Sequence, residues 1–216
     1  MHYNTSQAKA EEVANQVRAL GRRSVTVQAD VEVLASVQAM RDTITRQLGS
    51  PDIVVNNTVT QYEWCSVLEQ GVEDYESQFR TCVLQNVTMA KAFVPAMVER
   101  GWGRVIALST ECAMQWMPNQ SACVSGKRGQ DGVLRVLARE VGSHGATVNQ
   151  VAPSRTISDL YRESGQEVVP EYSDTVPLRR RGQDREIAVA FLTSDLAAFI
   201  TGLYLPVTGG NVMPTI

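Results

Sequence analysis

Two side chains in this sequence invite chemistry by their spacing alone. Cys123 and Lys127 stand four residues apart in a stretch of helical period, so they share one helix face. An ammonium beside a thiol favours the thiolate, which would serve as a nucleophile or a base. The opposite reading is a small, buried, inert cysteine. Lysine is scarce here: Lys9, Lys91 and Lys127 are outnumbered by seventeen arginines, which draws notice to Lys127. A buried structural salt bridge would account for that lysine equally well. The four cysteines, Cys65, Cys82, Cys112 and Cys123, lack C-x-x-C spacing, and the only histidines are His2 and His144. Neither a metal site nor a disulfide framework is expected.

The elements that must position this pair alternate between helical and β-branched patterns from end to end, the signature of a layered α/β fold around a mostly parallel sheet. Helices are expected over Gln7–Leu20, Leu34–Leu48, Val72–Arg100, Ser121–Val141 and Arg185–Leu192, with a kink or break at Pro95. Strands are expected over Ser24–Asp30, Ile53–Asn57 (buried), Arg104–Thr110, Thr147–Pro153 and Tyr204–Thr208. The mixed segment Ser154–Gly182 reads as a mobile lid.

The bulk numbers exclude several classes. A chain of 216 residues, 44% hydrophobic and without repeats or low-complexity tracts, is expected to form one domain. A net charge of −3 offers no footprint for nucleic acid or an anionic membrane. Arg22-Arg23 and Arg179-Arg180-Arg181 read as solvated loop charges. No apolar run approaches the length of a membrane span, and the polar N-terminus is unlike a signal sequence, so a cytoplasmic protein is expected.

Several short motifs, taken in order, resemble the short-chain dehydrogenase/reductase superfamily, nearest to its 3-oxoacyl-carrier-protein reductase-like branch. They are Val54-Val55-Asn56-Asn57, Lys127 early in a long helix, Thr147-Val148-Asn149-Gln150-Val151-Ala152-Pro153, and Ser194-Asp195 followed by Ile200-Thr201-Gly202 and Gly209-Gly210. The resemblance implies a Rossmann-like parallel sheet flanked by helices. Members open with a strand, a T-G-x-x-x-G-x-G turn and a helix that hold the cofactor pyrophosphate. Nothing before Gln7 matches that unit of about thirty residues, so the expectation is a fold lacking its first β-α unit. That unit's strand is central in the family's sheet. Either the strand ending at Asp30 packs directly on Ile53–Asn57, or another chain fills the gap.

By the same resemblance, the catalytic Tyr-x-x-x-Lys becomes Cys123 and Lys127. Thr110, with Ser109 adjacent, takes the place of the serine that polarises the carbonyl, and Cys82 takes that of the relay asparagine, with Asn86 one turn later. Ser154 replaces a glycine, and Thr58-Val59 replaces Ala-Gly, crowding the cofactor's approach. Asp30, Asn56 and Asn57 read as remnants of a cofactor site, Asp30 doubling as a cap for the helix from Leu34. A thiol at 123 also lacks the reach of a phenol.

The expectation is therefore a non-redox enzyme without a cofactor, performing cyclisation, isomerisation, elimination or hydrolysis on a small, polyketide-like metabolite. Its cleft would lie between the helix at Cys123 and Lys127, the strand end at Thr110 and the lid. One alternative is a non-catalytic subunit paired with an active relative. The other is an ordinary NAD(P)H-dependent carbonyl reductase completed by another chain or an upstream start. A homo-oligomer, or a hetero-oligomer with a relative, would form through Val87, Ala90, Phe93 and Val94 on one helix and Val133, Val136 and Leu137 on the next.

Overall fold

Strands with apolar residues on both faces belong at the centre of a parallel sheet, and two such strands organise this protein. They are β4 (Gly103–Leu108), buried from Gly103 to Ala107, and β5 (Ala146–Pro153), buried from Ala146 to Ala152. The structure, a computed structural model, describes residues 1–163 and 170–214. Strand β3 (Ile53–Asn56) pairs with β4, and β8 (Tyr204–Val207) pairs with β5, all in parallel, in the order β3-β4-β5-β8. A separate parallel pair joins β1 (His2–Tyr3) to β2 (Val27–Gln28).

Helices cover both faces. On one, α2 (Leu34–Leu48), α4 (Gln85–Arg100) and α6 (Ser121–Val141) pack Val37, Met40, Phe93, Met97, Leu134 and Ala138 against Val105 and Val148. On the other, Ile106 and Val151 meet Leu192 of the short helix α9 (Val189–Thr193) and Ala197 of the turn that follows it. Helix α6 buries Ala122, Gly126, Gln130, Leu134 and Ala138 at strict four-residue spacing. That stripe also carries Lys127 inward.

Several sequence expectations need correction. β2 and β3 do not pair: β1–β2 and β3 contribute Ala29, Val31 and Val54 to one core through helices α2 and α4 instead. The second edge of β3 has no strand partner among the described residues. β3 is half-buried rather than buried, with Ile53 and Val55 each 43% exposed. The long helix before β4 stays unbroken at Pro95, and its irregularity lies upstream. There α3 (Val72–Gln78) widens through a π-helical turn, Phe79–Leu84, before α4. Polar side chains bond to carbonyls in and beside this turn: Asn86 Nδ2 to Cys82 O at 2.7 Å and Thr81 Oγ1 to Ser77 O at 2.8 Å.

The helix expected over Arg185–Leu192 is interrupted at Ala188, whose φ of 59° is left-handed. Of the lid segment, residues 164–169 lie outside the described ones. The rest contains β6 (Thr156–Ile157), paired in parallel with β7 (Gly182–Gln183), and the short helices α7 (Asp159–Glu163) and α8 (Pro170–Thr175). A further short helix, α5 (Cys112–Gln115), follows β4, and α1 (Gln7–Ala19) follows β1. Phe93 and Val94 are buried in the core, whereas Val87, Ala90, Val133, Val136 and Leu137 line an open groove of about 450 Å³ between α4 and α6. No helix among the described residues is long and apolar enough to cross a membrane.

Candidate active site

Parallel strands point their carboxyl ends at one edge of the sheet, where α/β folds gather ligand-binding loops. Here that edge holds a cavity of about 280 Å³, near the lower end of the range of roughly 300–1,000 Å³ usual for small-molecule sites. The loop after β3 supplies Asn57 and Tyr62, the end of β4 supplies Ser109 and Thr110, and the first turns of α6 supply Cys123 and Lys127. Gln78 closes the wall from α3, its amide donating to Thr60 O at 2.8 Å. α3 reaches α6 closely because position 126 is glycine. A Cβ there would stand 2.9 Å from Gln78 O.

Lys127 is 6% exposed. Its ammonium donates to Leu108 O at 2.6 Å and to Gln130 Oε1 at 3.1 Å, leaving one of its three N–H donors for the cavity. It makes no ion pair among the described residues, so the structural salt bridge offered for it is absent. Behind it runs an amide relay: Gln130 Nε2 donates to Gln150 Oε1 at 3.2 Å, and Gln150 Nε2 to Asp131 Oδ1 at 2.8 Å.

The hydroxyls at the end of β4 divide their work. Tyr204 donates to Thr110 O at 2.8 Å, which leaves Ser109 Oγ to donate to the Tyr204 oxygen at 2.7 Å. Thr110 Oγ1 accepts from Cys112 N at 3.2 Å, and its hydroxyl also lies in hydrogen-bond reach of the Cys112 thiol. Sulfur is a weak acceptor, so a substrate oxygen could take that proton in its place. Glu111 beside it is buried, and its carboxylate accepts from Tyr172 Oη at 2.6 Å and Asn211 Nδ2 at 3.0 Å. That contact fastens α8 and the C-terminal segment to the end of β4.

Cys123 lines the cavity, but burial pushes its thiol up to about 12, with Cys112 adding to the rise and Lys127 opposing it. That balance favours the neutral thiol over the thiolate. One ammonium does not offset desolvation of the charged form. The backbone N–H of Cys123 donates to the Tyr62 hydroxyl at 2.7 Å. Cys82 is fully buried, its thiol 3.7 Å from Gln78 Oε1, and it does not line the cavity. The position one turn on is better connected: Asn86 Oδ1 accepts from Asn56 Nδ2 at 2.7 Å.

The remnants separate too. Asn57 lines the cavity, whereas Asn56 points into the core and leaves its Oδ1 unpartnered. Asp30 Oδ1 accepts from Glu32 N at 2.9 Å, bracing the turn before α2. The wall opposite Lys127 is the loop carrying Tyr62 and Trp64, and Ser154–Gly182 contributes none of the lining among the described residues. Val59 lines the cavity at 40% exposure, so the β-branched pair expected to crowd the site stands at its rim. Sequence reasoning missed Tyr62, Gln130 and Glu111. The one available signal was an aromatic pair, Tyr62-x-Trp64, in an otherwise polar loop directly after a strand end.

Comparison with known proteins gives a consistent picture. The family described as enoyl-(acyl carrier protein) reductase matches residues 1–211. The 3-oxoacyl-(acyl-carrier-protein) reductase of Staphylococcus epidermidis is 32% identical over 225 residues, covering 99% of this chain and 88% of the relative. That of Pseudomonas aeruginosa is 34% identical over 221 residues, covering 97% and 85%. Among solved structures, a blue fluorescent protein from a metagenomic library in complex with NADPH superposes with a TM-score of 0.87 at 28% identity, covering 98% of this chain and 86% of that one. These reductases, and a structural neighbour that binds NADPH, overturn the expectation of a cofactor-free, non-redox enzyme. They favour the carbonyl-reductase alternative.

Proposed function

Because this chain belongs to the short-chain dehydrogenase/reductase superfamily, in its 3-oxoacyl-carrier-protein reductase-like branch, we propose that it is an NADPH-dependent reductase of a 3-oxoacyl thioester. The observation that carries this reading is the cavity at the ends of β3 and β4, where a buried ammonium with one uncommitted N–H and a threonine hydroxyl whose proton meets only a weak sulfur acceptor line one small space.

The residues present fit the nicotinamide end of the cofactor. Lys127 and Asn57 would hold its ribose, and when bound it would supply a hydride to the carbonyl carbon of the substrate. No glycine-rich turn opens a helix among the described residues, and no anchor for the pyrophosphate is assigned.

Thr110 would polarise the ketone by turning its hydroxyl from the Cys112 sulfur to donate a hydrogen bond to the oxygen where charge develops. Lys127 contributes a fixed positive charge from a buried position, where it weighs more than it would in solvent. The amide relay through Gln130 and Gln150 keeps the ammonium aimed by satisfying the groups around it. The single domain would associate with a second copy through the apolar groove between α4 and α6. Mixing the protein with NADPH and an acetoacetyl thioester should consume NADPH and form the 3-hydroxy product. No loss of NADPH absorbance at millimolar thioester would refute the reading.

A further inference from the structure

We propose that Tyr62, reaching the cavity from the loop after β3, is the proton donor of the reaction. The inference rests on the reductase reading above and assigns its acid. A ketone accepting a hydride becomes an alkoxide and needs a proton from a group within hydrogen-bond reach. Lys127 gives two N–H donors to a carbonyl and an amide and its third to the ribose that it would hold, and Tyr204 spends its proton on Thr110 O. Tyr75 shares its hydroxyl with Ser121 Oγ at 2.6 Å and is not among the cavity's lining residues. Among the described residues, Tyr62 is the one phenol lining the cavity that holds Ser109, Thr110 and Lys127.

Its hydrogen bonding leaves the proton available. The oxygen accepts from Cys123 N, and the hydroxyl has no acceptor of its own among the described residues. That accepted bond comes from the first turn of α6, where backbone N–H groups carry partial positive charge, so the phenolate left after transfer is stabilised where it forms. Burial holds the phenol at about 12, so the donating form is fully populated at neutral pH while transfer to an alkoxide remains downhill. The small side chain of Cys123 then has a purpose. The donor oxygen sits against the backbone of residue 123, and a bulky side chain there would occupy the space the carbonyl needs.

In the step itself, the carbonyl carbon would gain the hydride that a bound reduced nicotinamide would supply, and the C=O π bond would break. The Tyr62 O–H bond breaks as the substrate O–H bond forms, giving the alcohol, the oxidised nicotinamide and a phenolate. Water entering at the cavity rim restores the phenol.

Two measurements on Tyr62→Phe test this, with the thermal midpoint recorded to show that the variant folds. First, kcat for acetoacetyl thioester reduction should fall about 10²–10⁴-fold, with KM little changed. Second, the infrared stretch of the isotopically labelled 3-oxo group, bound without cofactor, should lie below its value in an aprotic solvent and rise towards that value in the variant. Turnover and carbonyl stretch both unchanged in Tyr62→Phe would overturn the assignment while leaving the reductase reading intact. A shifted stretch with no NADPH consumption by the wild type would overturn the reductase reading and reduce Tyr62 to a carbonyl-binding residue.

Discussion

Replacing Lys127 with methionine separates a structural lysine from a functional one. The ammonium makes two charge-assisted bonds, at 2.6 and 3.1 Å, worth about 1.5–3 kcal/mol each. Against them stands the cost of burying a cation with no carboxylate partner among the described residues, several kcal/mol on the usual scale. After substitution Leu108 O still accepts from Gln130 Nε2 at 3.3 Å, so the main stranded group is Gln130 Oε1, at about 1–3 kcal/mol. Methionine fills nearly the same volume. These terms nearly cancel, and Lys127→Met should stay within about 2 kcal/mol of the wild type. Function should not survive as well: NADPH affinity should fall about 10–100-fold, the equivalent of one lost charge-assisted contact, and turnover further. Urea unfolding with an unchanged m value gives the stability, and fluorescence titration gives the affinity. A loss above about 4 kcal/mol, a size reserved for a few named structural defects, or NADPH binding left intact would refute the reasoning.

Other predictions follow from single contacts. Site-resolved alkylation by iodoacetamide at pH 8 should label Cys123 about three orders of magnitude more slowly than a free thiol, since a thiol at about 12 holds that much less thiolate; labelling at the free rate would restore the thiolate reading. Gly126→Ala should destabilise the protein by about 1–3 kcal/mol, because the new methyl meets Gln78 O at 2.9 Å; an unchanged thermal midpoint would mean that α3 and α6 are not held that close. Glu111→Ala leaves the Tyr172 hydroxyl proton without its acceptor and Asn211 Nδ2 with only its 3.4 Å bond to the Tyr172 oxygen, and should cost about 1–3 kcal/mol, with faster hydrogen exchange in α8; exchange identical to the wild type would show that Glu111 does not fasten it. Because burial raises Tyr62 from 10.0 to about 12, the folded state favours the neutral phenol. The stability this provides is present below pH 10 and lost as pH rises towards 12. In an alkaline titration of the wild type against Tyr62→Phe, the variant should lose less stability across that window; equal losses would contradict the shift.

What the sequence disclosed and what it hid divide by the range of the interactions involved. The layered sheet was legible from β-branched runs such as Val54-Val55 and Val105-Ile106 set between helical patterns. Lys127 and Thr110, singled out by their places in the sequence motifs, both line the cavity at the carboxyl edge of the sheet. Cys82, assigned to the site by counting back from Pro95, lies in the π turn, fully buried and outside the cavity's lining. Pro95 does not break α4: a proline removes one N–H, and the helix continues through it. The interruption at Ala188 carries no sequence signal, as alanine is a strong helix former. Tyr62 was hidden for a different reason. Its role depends on a contact spanning 61 residues, between a loop without a motif and the backbone of Cys123. For Cys123, spacing conveys proximity to Lys127 but not the desolvation that outweighs it.

Hydride transfer is the claim on which the rest depends, and label transfer measures it directly. NADPH carrying tritium on each face of its nicotinamide C4 in turn should, with an acetoacetyl thioester, deliver the label to C3 of the 3-hydroxy product from one face only, and only when the protein is present. No tritium in the product from either face would contradict the account.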